Sequence, residues 1–156
     1  MASNSLSQKR SAIVSFRRAI TSDRAFLLSL RKVSMNKHLQ HAGLYLDDRA
    51  HLMSIDEFFS DSYIISYQNR AIGLLKLGLF ADKIHLRQFQ LLPQYQGLGI
   101  GSRVLVLVKR KAQDKQLAIT LNVLLKNPAK QLYLRHDFVV MNSNKLEYQM
   151  RWQCQQ

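Results

Sequence analysis

The residues of this chain best suited to chemistry lie in Pro93-Gln94-Tyr95-Gln96-Gly97-Leu98-Gly99-Ile100-Gly101-Ser102, where three glycines alternate with other residues between a strand and a helix. Glycine lets successive backbone N–H groups turn toward one point with no Cβ in the way. The first turn of the following helix leaves N–H donors unpaired, and the helix dipole adds positive potential there. Together these make a cradle for an anion such as a pyrophosphate. The alternative is that Gly97, Gly99 and Gly101 only permit a sharp turn and close packing. Two familiar phosphate loops do not match. A Walker loop needs Gly-Lys-Ser/Thr, and no lysine follows these glycines. A dinucleotide fingerprint needs Gly-x-Gly-x-x-Gly in a βαβ unit, whereas Gly-x-Gly-x-Gly stands here, late in the chain.

A second group of reactive side chains runs from His38 through His41, Tyr45, Asp47, Asp48 and His51 to Asp56 and Glu57. Three histidines within fourteen residues raise the question of a metal. Their spacings of three and ten fix no helical geometry, and no metal is expected. The carboxylates either attract a cationic amine or form a solvated helix face.

The elements that must position these groups follow from periodicity. Residues 12–17 alternate as a short strand, and Thr21-Ser22-Asp23 caps a helix over 25–33. Residues 38–48, with Gly43, read as a loop or broken helix, and 49–59 as a second helix. Strands over 62–67 and 71–79 are joined across Gln68-Asn69-Arg70 as a tight hairpin, and a longer strand over 82–92 stops at Pro93. A helix over 99–113, a strand over 117–123, a short helix over 128–136 and strands over 138–141 and 146–152 complete the chain. This order predicts an α/β fold with a mixed, mostly antiparallel sheet flanked by helices. Residues 1–10 read as a flexible tail and 11–156 as a single domain.

Composition narrows the partners. The 156 residues carry a net charge of +13 and 47% apolar side chains, which excludes overall disorder and points to a phosphate-bearing partner. The charge is uneven: eight basic residues face one acidic in 1–40, three face six in 41–82, and twelve face three in 83–156. An acidic segment between basic ones suits a continuous nucleic-acid groove poorly, and no helix-turn-helix or RNA-binding signature is readable. One cysteine, Cys154, excludes a disulfide framework, and no apolar run approaches the ~20 residues of a spanning helix. A cytoplasmic location away from membranes is expected.

The loop Gln96-Gly97-Leu98-Gly99-Ile100-Gly101 resembles the acetyl-CoA signature, Gln/Arg-x-x-Gly-x-Gly/Ala, of the GNAT superfamily of N-acetyltransferases. Asn127-Pro128-Ala129 followed by Leu132-Tyr133 and Phe138 is similar to that family's second motif, and the resemblance covers residues 12–152. It implies a sheet splayed between the fourth and fifth strands, and acetyl-CoA as cosubstrate. The amides of Gln96 to Gly101, including Leu98 and Ile100, would hold the pyrophosphate. Ser102 would reach phosphate oxygens, while Arg103 either joins it or is a surface residue. Leu91 and Leu92 would pair with the pantetheine arm as an added strand. Asn127 would bond that arm, or serve an Asx turn before Pro128. Tyr133 would protonate the departing thiolate, or is a half-buried aromatic. Lys126, Lys130 or Arg135 could meet the 3′-phosphate.

The chain departs from the family at two places. Asp137 stands before Phe138 where glycine is usual, and Asp tolerates the left-handed conformation. The fourth strand carries Gln88 and Gln90 in place of a carboxylate base, and glutamine is no base at neutral pH. His85 is far from the splayed end, so the base stays unassigned. The expected activity is acetyl transfer from acetyl-CoA to a primary amine on a small molecule or peptide. The alternatives are an acyl-CoA sensor without efficient catalysis and a nucleic-acid-binding protein. A homodimer stays open.

Overall fold

A computed structural model describes residues 13–156, apart from the side chains of 36–38 and 41; the expected tail and the His38 and His41 side chains therefore lie outside the described residues. Strands β1 (Ser15–Arg18), β2 (Ser62–Tyr67), β3 (Arg70–Leu79), β4 (Lys83–Leu91), β5 (Ala118–Leu124), β6 (Val139–Ser143) and β7 (Glu147–Trp152) form one sheet. Their order is β1-β2-β3-β4-β5-β7-β6, and every neighbouring pair is antiparallel except β4 with β5. Helices α1 (Arg24–His41) and α2 (Asp48–Asp56) cover one face, burying Leu27, Leu30 and Ile55 against Ile64 and Leu74. Helices α3 (Ile100–Asp114) and α4 (Ala129–Arg135) belong to the larger core on the other face, with Ile65, Leu86, Val104, Leu105 and Phe138.

Three of the boundaries that differ from the sequence expectation have a visible physical reason. Helix α1 runs past its expected end at 33 into the stretch read as a loop or broken helix, and ends at His41 in a Schellman motif. There Gly43 takes φ 76°, its N–H donates to Gln40 O at 3.0 Å, and Leu44 N–H donates to Leu39 O at 2.7 Å. Helix α2 stops at Asp56, short of the expected 59. Lys76 Nζ, reaching from β3, donates to the carbonyls of Ser54, Ile55 and Glu57 at 3.2, 3.1 and 2.8 Å. The hairpin turn holds two residues, Gln68 and Asn69 at φ 52° and 61°, so Arg70 opens β3. Left-handed backbone at both centres is what a type I′ turn requires.

The parallel pairing of β4 with β5 runs from Lys83↔Ala118 to Leu86↔Leu121 and stops there, so the two strands splay as expected. The register of β4 on β3 shifts at the same level: Lys76 faces Gln88 and Leu77 faces Leu86, leaving Arg87 as an extra residue. This bulge is held from outside. Arg87 Nε donates to Asp61 Oδ2 at 3.1 Å, and its guanidinium lies 3.6 Å over the Phe58 ring.

Candidate active site

The splay opens a cleft of about 290 Å³ between the end of β4, the loop after it, the first turn of α3, and α4. Backbone direction on β4 decides what the cleft is offered. Leu92 N–H is donated to Ile72 O on β3 at 2.8 Å. Alternation along an antiparallel strand then turns the Leu91 N–H the other way, into the splay beyond the last paired residue of β5. Of the two leucines expected at this end, Leu91 lines the cleft and Leu92 is engaged with the sheet. The Leu91 carbonyl accepts from Gln96 Nε2 at 2.9 Å, so the glutamine of the motif ties the glycine loop to the strand through its side chain.

The glycines divide between the two roles left open by the sequence. Gly97 and Gly99 have φ of 72° and 83°, and a Cβ on either would meet nothing within 4 Å. Their backbone is therefore turned as a cradle needs, with its open side toward the cleft they line. Gly101 has ordinary backbone, and a Cβ there would sit 3.1 Å from Leu132 Cδ2, so this glycine lets α3 approach α4. Ile100 is buried in the core and the Leu98 side chain is exposed, so neither side chain lines the cleft. Ser102 does, with its Oγ 2.9 Å from His136 Nε2. Burial, aided by Lys109 and Arg135, lowers the His136 pKa, leaving a neutral imidazole beside the cradle. Among the three basic residues expected near the 3′-phosphate, Arg135 lines the cleft, whereas Lys130 Nζ lies 3.9 Å over the Tyr148 ring.

Helix α4 holds Tyr133 by its two ends. At the start, Asn127 Oδ1 accepts from Ala129 N–H at 2.9 Å, the Asx turn of the second reading, and the residue also lines the cleft. At the finish, Asp137 adopts φ 68°; its N–H donates to Leu134 O at 3.2 Å and Phe138 N–H donates to Tyr133 O at 3.1 Å. This second Schellman end brings the Phe138 ring 5.7 Å from the Tyr133 ring. Tyr133 is buried and lines the cleft, and burial pushes its phenol well above the usual range. The hydroxyl stays protonated as a donor.

The opposite wall comes from Ser34 and Met35 of α1 and from Gln90 of β4. Gln88 and Gln90 project toward α1 and α2, where Gln88 Nε2 donates to Ser54 Oγ at 3.1 Å. The Oε1 atoms of both glutamines are buried without a hydrogen-bond partner among the described residues. Deeper on this side, Arg31 Nε donates to Nδ1 of the buried His51 at 3.0 Å. Of the two readings of the acidic residues, the structure favours the solvated face for Asp47, Asp48 and Asp56. Asp47 caps α2 through Ala50 N–H, Asp48 pairs with Lys32 at 2.9 Å, and Asp56 pairs with Arg24 at 2.8 Å. Among the described residues no Asp, Glu or His lines the cleft. His85 lies at the paired end of β4, 2.7 Å from Thr120 Oγ1.

Sequence reasoning missed His136 and Arg31 and saw Gln90 only as the absence of a base. The available signal for Arg31 was its place in the inward stripe Leu27, Leu30, Ser34 of α1.

A family model described as an acetyltransferase (GNAT) domain matches residues 45–153, more than half of the chain. No curated protein sequence matches. Among solved structures, the chain is similar to the PaiA N-acetyltransferase from Thermoplasma acidophilum in complex with coenzyme A, with 18% identity, TM-score 0.69, and coverage of 90% of this chain and 99% of that one. An acetyltransferase from Thermus thermophilus aligns with 15% identity, TM-score 0.74, and coverage of 90% and 96%. N-acetylglutamate synthase from Neisseria gonorrhoeae, complexed with coenzyme A and N-acetyl-glutamate, aligns with 16% identity, TM-score 0.66, and coverage of 93% of this chain but 36% of that one. Among the described residues no helix is long and apolar enough to cross a membrane.

Proposed function

The chain belongs to the GNAT acetyltransferase family, and from that premise we propose that it moves an acetyl group from acetyl-CoA to a primary amine by direct attack. The observation that carries this reading is one cleft that unites the Gly97–Gly99 turn, the splayed end of β4 and a protonated Tyr133. The glycine loop, with Ser102 beside it, would take the pyrophosphate. Asn127 and the Leu91 backbone would take the pantetheine arm, and the Leu91 N–H would polarise the thioester carbonyl. Tyr133 would donate to the sulfur as the C–S bond breaks and the N–C bond forms. The entering ammonium would lose one proton to water before attack, and the second proton that leaves the nitrogen would restore the Tyr133 hydroxyl, whose own proton has gone to the departing thiol.

Titration with acetyl-CoA together with thiol release across an amine panel tests this reading. Binding with turnover of at least one amine is expected. A second reading, an acyl-CoA sensor, draws on the absence of a carboxylate from the described cleft lining. Acetyl-CoA binding without thiol release from any amine would favour the sensor and overturn the enzyme.

A further inference from the structure

The Ser102 hydroxyl has one proton and two claims on it. It belongs to the first turn of α3, which starts from Gly99 with no side chain capping it, and it lines the cleft there. Its Oγ also lies 2.9 Å from His136 Nε2. A hydroxyl that gives its proton to the imidazole has none left for an anion, whereas one that accepts from an Nε2–H keeps its own free to donate. The direction of this one bond therefore decides whether Ser102 is a donor in the cleft. The ring is fixed from the end of α4, where the His136 backbone N–H donates to Leu132 O and Tyr133 O at 3.2 and 3.0 Å. Burial, then the charges of Lys109 on α3 and of the adjacent Arg135, disfavour the imidazolium. Asp137 opposes them only in part, its side chain being 83% exposed and 3.6 Å from Lys109 Nζ. An anion in the cradle reverses that balance, and an imidazolium nitrogen can only donate.

We propose that His136 is a positioning residue for the cosubstrate: its Nε2–H donates to Ser102 Oγ, aims the Ser102 proton at the pyrophosphate, and the ring takes up a proton from solvent as the phosphates enter. This rests on the placing of the pyrophosphate at the glycine loop. The relay uses each donor once, from the imidazole to the hydroxyl and from the hydroxyl to a phosphate oxygen. The sign of the pH effect follows. The ring holds its proton more weakly in the free protein than in the complex, so affinity should rise as pH falls between those two points and stay flat above them.

The test is isothermal titration of the full chain with acetyl-3′-dephospho-CoA, which keeps the pyrophosphate and lacks the phosphate monoester that would itself titrate at about pH 6. Wild type should bind about fivefold more tightly at pH 6 than at pH 8.5, since an upward shift of about one pKa unit is worth up to tenfold. Proton uptake, read from the dependence of the heat on buffer ionisation enthalpy, should accompany binding at pH 6. His136→Gln keeps an amide N–H near the Nε2 position, so its Kd at pH 8.5 should stay within about twofold of wild type while the pH dependence and the uptake disappear. His136→Leu should weaken binding about fivefold at pH 8.5, the scale of one neutral hydrogen bond. In a Ser102→Ala background the same change should cost less than about twofold, because the hydroxyl it orients is gone. An equal pH slope in wild type and His136→Gln, or an undiminished loss from His136→Leu without Ser102, would overturn the proposal. The readout is binding, so a failure to release thiol from any amine would sink the transfer reading and leave this result standing. Flat affinity with turnover intact would do the reverse, and absence of binding would remove both.

Discussion

On the α3–α4 wall of the cleft, recognition groups are mainly backbone amides turned by Gly97 and Gly99, with neutral Ser102, Asn127 and Tyr133 beside them. On the α1 side they are side chains, Ser34 and Gln90, the latter with a buried orphan oxygen, and behind it lie Gln88 and the buried cations Arg31 and Lys76. The first wall is complete without a ligand, because its donors are fixed by helix starts and strand alternation. The second holds unpaired polar atoms that the protein does not satisfy itself. A cosubstrate of constant chemistry can be read by backbone, whereas an acceptor must be read by side chains that can vary.

The most severe way to break the first wall is Gly99→Val. A β-branched residue at φ 83° strains the turn and fills the cradle's open side, so the acetyl-CoA Kd should rise about 10³-fold by isothermal titration. Retained affinity would mean that the phosphates lie elsewhere. Next is Tyr133→Phe, which keeps the Phe138 contact but deletes the donor. It should lower kcat about 10²-fold with little change in acetyl-CoA affinity, and wild-type turnover would remove Tyr133 from the chemistry.

Lys76→Met sharpens the comparison on the second wall through stability. Losing a donor shared by three carbonyls orphans the end of α2, at about 1–3 kcal/mol, or a Tm lower by several degrees. Burial lowers the Lys76 pKa from 10.5 to about 8, so unfolding takes up a proton between those values. The stability of wild type relative to Lys76→Met should therefore rise from pH 8 to 10.5 and stay flat below pH 8. A flat difference across that window would mean that burial does not perturb this amine. Smallest of all is Asp56→Asn. Its pair with Arg24 is solvent-exposed, so kcat/KM and Tm should stay near wild type; a large loss would restore the acidic face to the acceptor site.

Legibility in the sequence follows the same division. The order of strands and helices was readable because apolar periodicity and glycine punctuation mark it, and the splay came with the motif resemblance. The cradle was readable because turned amides require glycine. Asp137 took the left-handed place expected of it. The end of α2 was not readable, since it depends on Lys76, a strand residue far along the chain. Arg31 resembles any helical arginine until the stripe it interrupts is known to face inward. The acidic stretch left two readings open for a related reason: a count of carboxylates does not say which way they point. Much of the +13 charge has no assigned partner.

The extra residue at Arg87 resets the phase of β4. Before it, even-numbered Ile84 and Leu86 sit in the α3-side core; after it, odd-numbered Phe89 and Leu91 do. Strict alternation through Arg87, with no residue bulged out, would exchange the two faces, sending Gln88 and Gln90 toward the α3 side and Phe89 and Leu91 toward α1, whereas deleting Arg87 would leave every side chain on its present face. The bulge thus acts as a frame marker for the strand, and it decides which face of the sheet each later side chain of β4 joins.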